Sequence, residues 1–558
     1  MKIELYVAGL AALLCLASSG LARASDAVVV PTAHPVPPDA VHVAPGGSDR
    51  HAGTRDHPLR TIAAALERVP PGGTVVLRAG IYREALGGLS KPVTLQPAPG
   101  ETAWLKGSVV VAEWRREGDV WVHRGWESLC ATCFDPGNID PARPLAGRPE
   151  QVFVDGEPLE QVASAGEVRS GTFAAQGDRL VIGTDPAGRL VEASVHATAL
   201  TLHRGAEGSR VRGLGFAHYA STAEPGLGGA VRADTRDLLF EGNTFAFNAV
   251  KGLSVFGANV VVLNNTFAGN GMMGLEAWRA DGLRVVANRF AKNNREGFVQ
   301  TGNVSEAAGA KITVSRGVTV TDNTFEKNRA NGLWLDIDVI DATVVRNVMR
   351  GNARHGLFFE ISARALIASN LVAENGVSGI ALADATGARV FNNTLAGNPI
   401  AFLIQDDARD QGDATARADG NTWSTANHVF ANNIVVGGTL FWVRDHTGRL
   451  PPEAMAGRSE RNAYVPGDGP AVEWWRGGER TAFETFARFR EATDREGDTL
   501  LLDAAEAPSG ADPALAPESP ARGAGLDLPR DAAEAIGVEA RAPDLGVLRG
   551  PGGTPAGR

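Results

Sequence analysis

Two stretches of equal length decide the fold. They are NTFEKNRANGLWLD, residues 323–336, and NVMRGNARHGLFFE, residues 347–360. Each has an asparagine, a second asparagine five residues later, a glycine four further on, and then alternating apolar residues. A repeat of this length, with two short apolar runs in each copy, is typical of a parallel β-solenoid.

The same phrase recurs along the middle of the chain. Successive first asparagines lie 22, 23, 35, 24, 23 and 23 residues apart, the long interval including an insertion near residues 300–313. We expect these asparagines and glycines to be structural, bonding in stacked turns and allowing left-handed backbone. The copies are Asn243/Asn248/Gly252, Asn265/Asn270/Gly274, Asn288/Asn293/Gly297, Asn323/Asn328/Gly332, Asn347/Asn352/Gly356 and Asn370/Asn375/Gly379, then Asn393/Asn398.

Other segments divide the 558 residues into five parts. Residues 1–24 have the pattern of a secretory signal, which predicts a secreted or periplasmic protein, and no segment is long enough to span a membrane. Residues 25–110 predict an N-terminal capping helix and the first coils, and 111–200 a small inserted antiparallel β-domain. Residues 201–460 form the main solenoid and 461–558 a C-terminal cap and tail.

Cysteine content and charge add two predictions. Cys130 and Cys133 are the cysteines left after the signal, and in an oxidising compartment they predict a small structural disulfide. The net charge of −10 argues against a nucleic-acid partner, which requires a basic face. No cofactor is expected.

The repeat predicts which side chains share a face. After each marker glycine the first and third residues should point inward, so the second and fourth point outward on one sheet. This outward set combines aromatic and acidic residues, as surfaces that bind sugars do. Its members are Glu276, Trp278, Trp334, Asp336, Phe358 and Glu360.

The acids offer two possible catalytic pairs. Asp336 and Glu360 occupy one register in consecutive coils, so their backbones should lie about 4.8 Å apart. We expect both to emerge side by side into solvent. Asp338, two residues further along the same predicted strand, would be about 8 Å from Glu360. The shorter spacing suits a retaining glycosidase and the longer an inverting one, and crowding should raise one carboxyl pKa.

The segments Trp334-Leu335-Asp336 and Phe359-Glu360-Ile361-Ser362 resemble those of the β-xylosidases of glycoside hydrolase family 120. The capping helix and Gly-x-Tyr run at residues 80–82 resemble secreted pectate-lyase-like proteins. These resemblances imply a right-handed parallel β-helix carrying an inserted β-sandwich. By the family's pattern, Asp336 would be the nucleophile and Glu360 the acid/base.

Several alternatives stay open. Trp278, Trp334 and Phe358 would position a poly- or oligosaccharide, or the two tryptophans would instead contact the inserted domain. Glu276 is a binding residue or a surface charge. Lys311, placed in the insertion, and His355, at the rim of the cleft, are further candidate sugar-binding residues.

Two other functions fit the same scaffold. A polysaccharide lyase or uronate epimerase would use acids to hold Ca²⁺, with Lys311, Arg354 or His355 as base. A non-catalytic carbohydrate-binding solenoid would need none of this chemistry. The sequence favours the hydrolase and leaves the sugar open.

Overall fold

The computed structural model describes residues 27–127, 129, 139–222, 228–298, 307–407, 421–476, 478–508 and 512–548. The predicted signal peptide and the predicted Cys130–Cys133 disulfide lie outside these residues. Three sheets of 13 strands each form the main body. The chain visits the sheets in turn, which confirms the predicted solenoid.

Strands are numbered in chain order. We call the three long sheets A, B and C. Sheet A contains β1 (Val41–Val43), β2 (Thr74–Leu77), β5 (Thr94–Pro97), β17 (Arg210–Arg212), β20 (Leu239–Glu241), β23 (Val261–Leu263), β26 (Arg284–Val286), β29 (Thr319–Thr321), β32 (Thr343–Val345), β35 (Leu366–Ala368), β38 (Arg389–Phe391), β41 (Val429–Ala431) and β44 (Arg458–Glu460).

Sheet B follows sheet A in each coil. It contains β3 (Gly80–Tyr82), β6 (Ala103–Lys106), β18 (Leu214–Ala217), β21 (Thr244–Ala246), β24 (Thr266–Ala268), β27 (Arg289–Ala291), β30 (Thr324–Glu326), β33 (Val348–Arg350), β36 (Leu371–Ala373), β39 (Thr394–Ala396), β42 (Ile434–Val436), β45 (Ala463–Val465) and β48 (Leu500–Leu501).

Sheet C includes the strands with the candidate acids. Its strands pair in parallel except for a final antiparallel hairpin, β46–β47. It contains β4 (Gly88–Leu89), β16 (Leu200–Leu202), β19 (Val231–Ala233), β22 (Lys251–Val255), β25 (Met273–Trp278), β28 (Ala308–Thr313), β31 (Asn331–Asp336), β34 (His355–Glu360), β37 (Ser378–Ala383), β40 (Ile400–Asp406), β43 (Thr439–Asp445), β46 (Val472–Arg476) and β47 (Glu479–Phe483).

The repeat asparagines form two buried ladders inside the turns, as predicted. In the first ladder, Asn323 Nδ2 donates to Asn347 Oδ1 at 3.0 Å and to the carbonyl of Val285 at 2.8 Å. The second ladder joins Asn328 to Asn352 at 2.8 Å in the same way. Each amide thereby satisfies backbone groups that a buried turn would otherwise leave unpaired.

The left-handed residues are not the ones expected. The residue before each ladder asparagine has positive φ, for example Asp322 (60°) and Arg346 (55°). The marker glycine of a strand is needed for a different reason. A Cβ on Gly332 would lie 2.6 Å from the carbonyl oxygen of Gly356 in the next coil, so close stacking of the coils excludes any side chain there.

The inward-facing residues of sheets B and C are apolar. Phenylalanines of sheet B stack at centroid distances of 4.7–5.2 Å, through Phe216, Phe245, Phe267, Phe290 and Phe325. Facing them, the predicted inward residues of sheet C are fully buried. They include Leu275, Ala277, Leu333, Leu335, Leu357, Phe359, Ile380 and Leu382. This burial fixes the opposite face of sheet C as the outward one.

The inserted domain consists of two small sheets packed on sheet B. One sheet contains β7 (Ser108–Val110), β10 (Val152–Val154), β11 (Glu157–Pro158) and β15 (Val191–Ser194), and the other contains β8 (Arg115–Glu117), β9 (Val120–Arg124), β12 (Glu160–Gln161), β13 (Thr172–Gln176) and β14 (Arg179–Ile182). Buried Glu192 of this domain pairs with Lys106 of β6 at 2.9 Å, and Phe153 stacks on His218 at 3.6 Å.

Both ends of the solenoid are covered. Helix α1 (Ile62–Arg68) packs its buried Ile62, Ala65 and Leu66 over the first coil, as predicted. At the far end, β47 and helix α3 (Phe486–Thr493) cover Trp474, which meets Phe489 edge-on at 5.2 Å. A short helix, α2 (Pro452–Met455), precedes β44.

The last described residues do not cap the end. They return along sheet A, where α4 (Arg530–Ile536) packs beside β32 and β35. Leu548 then exchanges two hydrogen bonds with the hydroxyl of Ser369, both at 2.8 Å. Within the described residues, no helix is both long and apolar enough to cross a bilayer.

Candidate active site

The outward face of sheet C brings Asp336 and Glu360 together. Strand β31 pairs with β34 in a register that aligns Leu335 with Phe359, so the next residues of the two strands are Asp336 and Glu360. Adjacent strands lie about 4.8 Å apart. The recorded pairing ends at Leu335 and Phe359, and Asp336 and Glu360 are the residues that follow, each the last of its strand.

Asp336 has one bonded oxygen and one unbonded oxygen. Its Oδ2 accepts from the ammonium group of Lys311 at 2.9 Å. Its Oδ1 is buried and has no hydrogen-bond partner among the described residues. A buried carboxylate oxygen without a partner is costly, and such an exception in a folded protein calls for a functional explanation.

Glu360 is oriented by an aromatic neighbour. Trp334 Nε1 donates to its Oε2 at 3.0 Å, and the indole stacks on Phe358 at 5.4 Å. The ammonium of Lys311, which binds Asp336, also lies 3.8 Å from the ring centroid of the same indole. Trp334 therefore contacts both Glu360 and the lysine that binds Asp336. Trp334 therefore fixes the acids and is not a free platform for a sugar.

The expectation that both acids open into solvent is wrong. Asp336 is 4% exposed and Glu360 5% exposed, and Trp334 is buried with them. None points into the solenoid core, since Leu333, Leu335 and Phe359 occupy the inward positions of these strands. The side chains of Lys311, Trp334 and Phe358 surround the acids on the outer face.

Lys311 lies on a strand and not in a loop. It occupies the outward position of β28, in register with Glu276 on one side and Trp334 on the other. Gly297 was the wrong marker, because the strand begins after the insertion and Gly309 takes the glycine position. Phe298, predicted to point into the core, instead packs in a separate cluster with Ala146 of the inserted domain.

Asp338 is not on the strand. Strand β31 ends at Asp336, and Ile337 and Asp338 both have left-handed backbone, with φ of 46° and 57°. Asp338 Oδ1 accepts from Asn421 Nδ2 at 2.8 Å and from Trp423 Nε1 at 3.0 Å. This carboxylate therefore binds a neighbouring segment, and Asp338 does not occupy the outward strand position predicted for it.

Glu276 is fully bonded. Its two oxygens accept from Lys251 at 2.5 Å and from the hydroxyl of Ser254 at 3.0 Å. Trp278 lies on the same face as Asp336, two strands away. It is 41% exposed, as predicted for an outward aromatic residue. Neither tryptophan has a described hydrogen bond or ring contact to the inserted domain, which meets the solenoid at His218 and, through Ala146, at Met273 of β25.

His355 is buried beneath the site. Its Nδ1 lies 2.7 Å from the hydroxyl of Ser378, and its ring packs 5.0 Å from Phe358. Burial lowers the pKa of His355 to about 3, so the imidazole is neutral near pH 7. Burial also lowers the pKa of Arg354, while the nearby Glu360 carboxylate raises it, which places this guanidinium close to the acids.

Sequence reasoning missed three residues of this region. Trp423 and Asn421 return from a long excursion of the repeat, whose length was the available signal. The predicted outward set did not include Arg279, which directly follows the exposed Trp278. Among the described residues there is no group of three or more His, Cys, Asp or Glu side chains that could hold a metal ion.

Family comparisons agree with this architecture. Residues 221–307 match the family described as right handed beta helix region. Residues 297–436 match the family described as periplasmic copper-binding protein (NosD). This protein is a right-handed parallel β-helix. The match to the first family and the three parallel sheets together establish that fold.

Two solved structures and one curated protein are similar to all or part of this chain. XylC, solved in complex with xylose, is 17% identical, with 83% of this chain and 86% of that chain covered and a TM-score of 0.59. The mannuronan C-5 epimerase AlgE4 A-module of Azotobacter vinelandii is 13% identical over 73% of this chain and 90% of that chain, with a TM-score of 0.41. The uncharacterized protein YwoF of Bacillus subtilis (strain 168) is 39% identical over 82 residues, which are 14% of this β-helix chain and 18% of YwoF.

Proposed function

We propose that this β-helix protein is an exported retaining glycoside hydrolase acting on a poly- or oligosaccharide. Asp336 is the nucleophile and Glu360 the acid/base. The observation that carries the proposal is the buried, unpartnered Oδ1 of Asp336, whose strand ends beside the strand that ends in Glu360. XylC, a β-helix protein of similar fold that binds xylose, supports a saccharide ligand.

The arrangement supplies both steps of a double displacement. In the first, Asp336 Oδ1 attacks the anomeric carbon while Glu360 gives its proton to the departing glycosidic oxygen. In the second, Glu360 takes a proton from water, whose oxygen attacks the same carbon and releases the Asp336 carboxylate. Acids on adjacent strands suit this chemistry because the two carboxyl groups of a retaining glycosidase lie about 5–5.5 Å apart.

Two further residues position the pair. Lys311 binds Oδ2 of Asp336 and leaves Oδ1 without a described hydrogen-bond partner, so Oδ1 is the oxygen to which we assign the attack. Trp334 holds Oε2 of Glu360 through its N–H group. Because Lys311 and Trp334 also contact each other, both acids are held by one connected group of side chains.

Export is the cellular setting of this proposal. The first 24 residues have the pattern of a cleavable secretory signal. A match of residues 297–436 to a family described as periplasmic supports the same location. An extracytoplasmic enzyme would meet glycans directly.

The proposal is tested by digesting a panel of aryl glycosides and oligosaccharides with wild type, Asp336→Asn and Glu360→Gln. Exposed Glu374, on a turn of sheet B, provides Glu374→Gln as the matched control. We expect hydrolysis of at least one substrate, with the first product retaining its anomeric configuration by NMR. Both site variants should lose turnover by a factor on the order of 10³ or more, and the control should not.

Three results would overturn the proposal. Inverted products would exclude a covalent intermediate at Asp336. Products with a new ultraviolet absorption would indicate a lyase, and glycan binding without any cleavage would indicate a carbohydrate-binding solenoid. Circular dichroism of each variant establishes that a loss of turnover is not a loss of fold.

A further inference from the structure

The outward face of sheet C carries an exposed tryptophan with an arginine stacked on it. The guanidinium of Arg279 lies 4.2 Å from the ring centroid of Trp278, and 41% of Trp278 remains exposed. Phe256 meets Trp278 edge-on at 6.5 Å. Trp278 and Phe256 thus form a small aromatic surface on the face that also carries the acids, and exposed apolar patches of this kind can mark interaction sites.

The charge of Arg279 is not neutralised by its surroundings. The other cations near it on this face are paired, Lys251 with Glu276, Lys311 with Asp336 and Arg232 with Asp234. No ion pair or side-chain hydrogen bond joins Arg279 to any residue in the described part of the chain. Its planar array of N–H donors is thus available to a ligand.

The position of this pair relates it to the acids. Trp278, Thr313 and Asp336 are successive rungs of one ladder, so Trp278 lies about 9.6 Å from Asp336 along the solenoid. Thr313, between them, is a small side chain. A glycan whose scissile bond lies at Asp336 and Glu360 can therefore extend over Thr313 to Trp278.

We propose that Trp278 and Arg279 form a subsite for a uronate residue of the glycan substrate. The indole packs against the sugar ring, and the guanidinium binds the carboxylate in the two-bond geometry that Arg forms with carboxylates. This proposal rests on the proposed hydrolase function for its direction along sheet C. It adds a substrate class, an acidic oligosaccharide, which the acids alone do not specify.

The far side of the face offers a matched control. Arg444 stacks over Trp475 at 4.7 Å, and it also has no ion pair to a described residue. Arg444 lies three rungs beyond Glu360, on the opposite side of the acids from Trp278. Arg279→Gln and Arg444→Gln thus remove the same chemistry from two different places.

The test measures binding and not turnover, so it is independent of hydrolysis. The full chain carrying Glu360→Gln is applied to an array of uronate-bearing oligosaccharides, their carboxyl-reduced counterparts and sulfated oligosaccharides of equal length. We expect at least one uronate glycan to bind at least about tenfold more tightly than its reduced form. Adding Arg279→Gln should abolish that difference, and adding Arg444→Gln should leave it unchanged.

Each other outcome overturns the subsite. Equal binding of acidic and reduced glycans, binding of sulfated probes alone, or no binding at all would contradict a uronate site. An Arg279→Gln variant that keeps the full difference would do the same, and a loss through Arg444→Gln would move the site to Trp475. If binding is as expected but wild type cleaves nothing, the subsite stands and the hydrolase proposal fails.

Discussion

Glu276 and Asp336 form a natural comparison on one sheet face. Both are outward carboxylates, and each pairs with a lysine, Lys251 or Lys311. Glu276 uses both oxygens, because Ser254 binds the second. Asp336 leaves Oδ1 buried and unbonded within the described structure. From this difference we propose a structural role for Glu276 and a chemical role for Asp336.

The largest effect should come from neutralising the two acids in turn. Asp336→Asn removes the attacking oxygen and should lower kcat on the best substrate by a factor on the order of 10³ or more. Glu276→Gln should change kcat by less than about threefold, because both of its oxygens already serve the fold. Steady-state kinetics of both variants measures the contrast, and equal losses would erase it.

Replacing Lys311 and Lys251 in turn should distinguish a lysine that positions a catalytic acid from a lysine that only stabilises the fold. Lys311→Met frees Oδ2 of Asp336 and should lower kcat about 100-fold with little change in KM, since a mispositioned nucleophile loses transition-state contacts. Lys311→Arg should recover part of the rate. Lys251→Met should leave kcat near wild type while lowering the free energy of unfolding by about 2 kcal/mol.

Unchanged kcat in Lys311→Met would show that the Lys311–Asp336 pair is structural, like the pair of Glu276. The two measurements, kinetics and denaturant unfolding, must therefore be made on the same preparations. A loss of stability without a loss of rate is the signature expected at Lys251 alone.

Trp334 and Trp442 allow a similar comparison, because each donates a hydrogen bond to a glutamate on this face. Trp334 donates to Glu360, and Trp442 donates at the same distance, 3.0 Å, to Glu473. Glu473 is saturated by further bonds from Trp475 and Arg480. Trp334→Phe should lower kcat about tenfold because it removes the N–H group that Oε2 of the acid/base accepts from, whereas Trp442→Phe should not change kcat. Equal kcat in both variants would mean that Glu360 needs no orientation.

A separate effect concerns the pH dependence of the stability of the fold. Burial lowers the pKa of His355 and of His428 to about 3, against about 6.5 in the unfolded chain. Below pH 6.5 the unfolded state binds a proton that the folded state refuses. Stability should therefore fall as pH drops from 6.5 toward 3, by about 1.4 kcal/mol per pH unit for each histidine.

Chemical denaturation at several pH values, with His428→Gln as the variant, checks this slope. The variant should lose one histidine's share of the acid dependence and keep wild-type kcat at pH 7. Identical slopes in both proteins would contradict it. Comparing this slope with the pH profile of activity also distinguishes unfolding in acid from protonation of the active-site groups.

Much of the fold and part of the site could be predicted from the sequence. Asn323, Asn347 and their equivalents repeat because each amide bonds the next coil, and this regularity fixed the register of Asp336 with Glu360. The spacing along the chain predicted the wrong marker glycine, Gly297, because Asn288 and Asn293 precede it at the distances seen in the other copies. The better signal was Gly309, which lies 23 residues before Gly332.

The remaining errors arose where the repeat carries no information. Strand ends depend on backbone conformation, so alternation alone could not show that Ile337 and Asp338 turn away. Burial of Asp336 and Glu360 depends on side-chain packing between coils, as between Lys311 and Trp334. Such contacts depend on three-dimensional shape, and periodicity cannot supply them.

The proposed double displacement requires that Asp336 form a covalent bond to the sugar. The most direct measurement is mass spectrometry of peptides from enzyme treated with an activated 2-deoxy-2-fluoro glycoside of the best substrate, whose intermediate hydrolyses slowly. The account predicts a single glycosyl adduct on the peptide containing Asp336, lost when Asp336 is replaced by Asn. An adduct on any other carboxylate, or rapid cleavage of that substrate with no adduct at all, would contradict it.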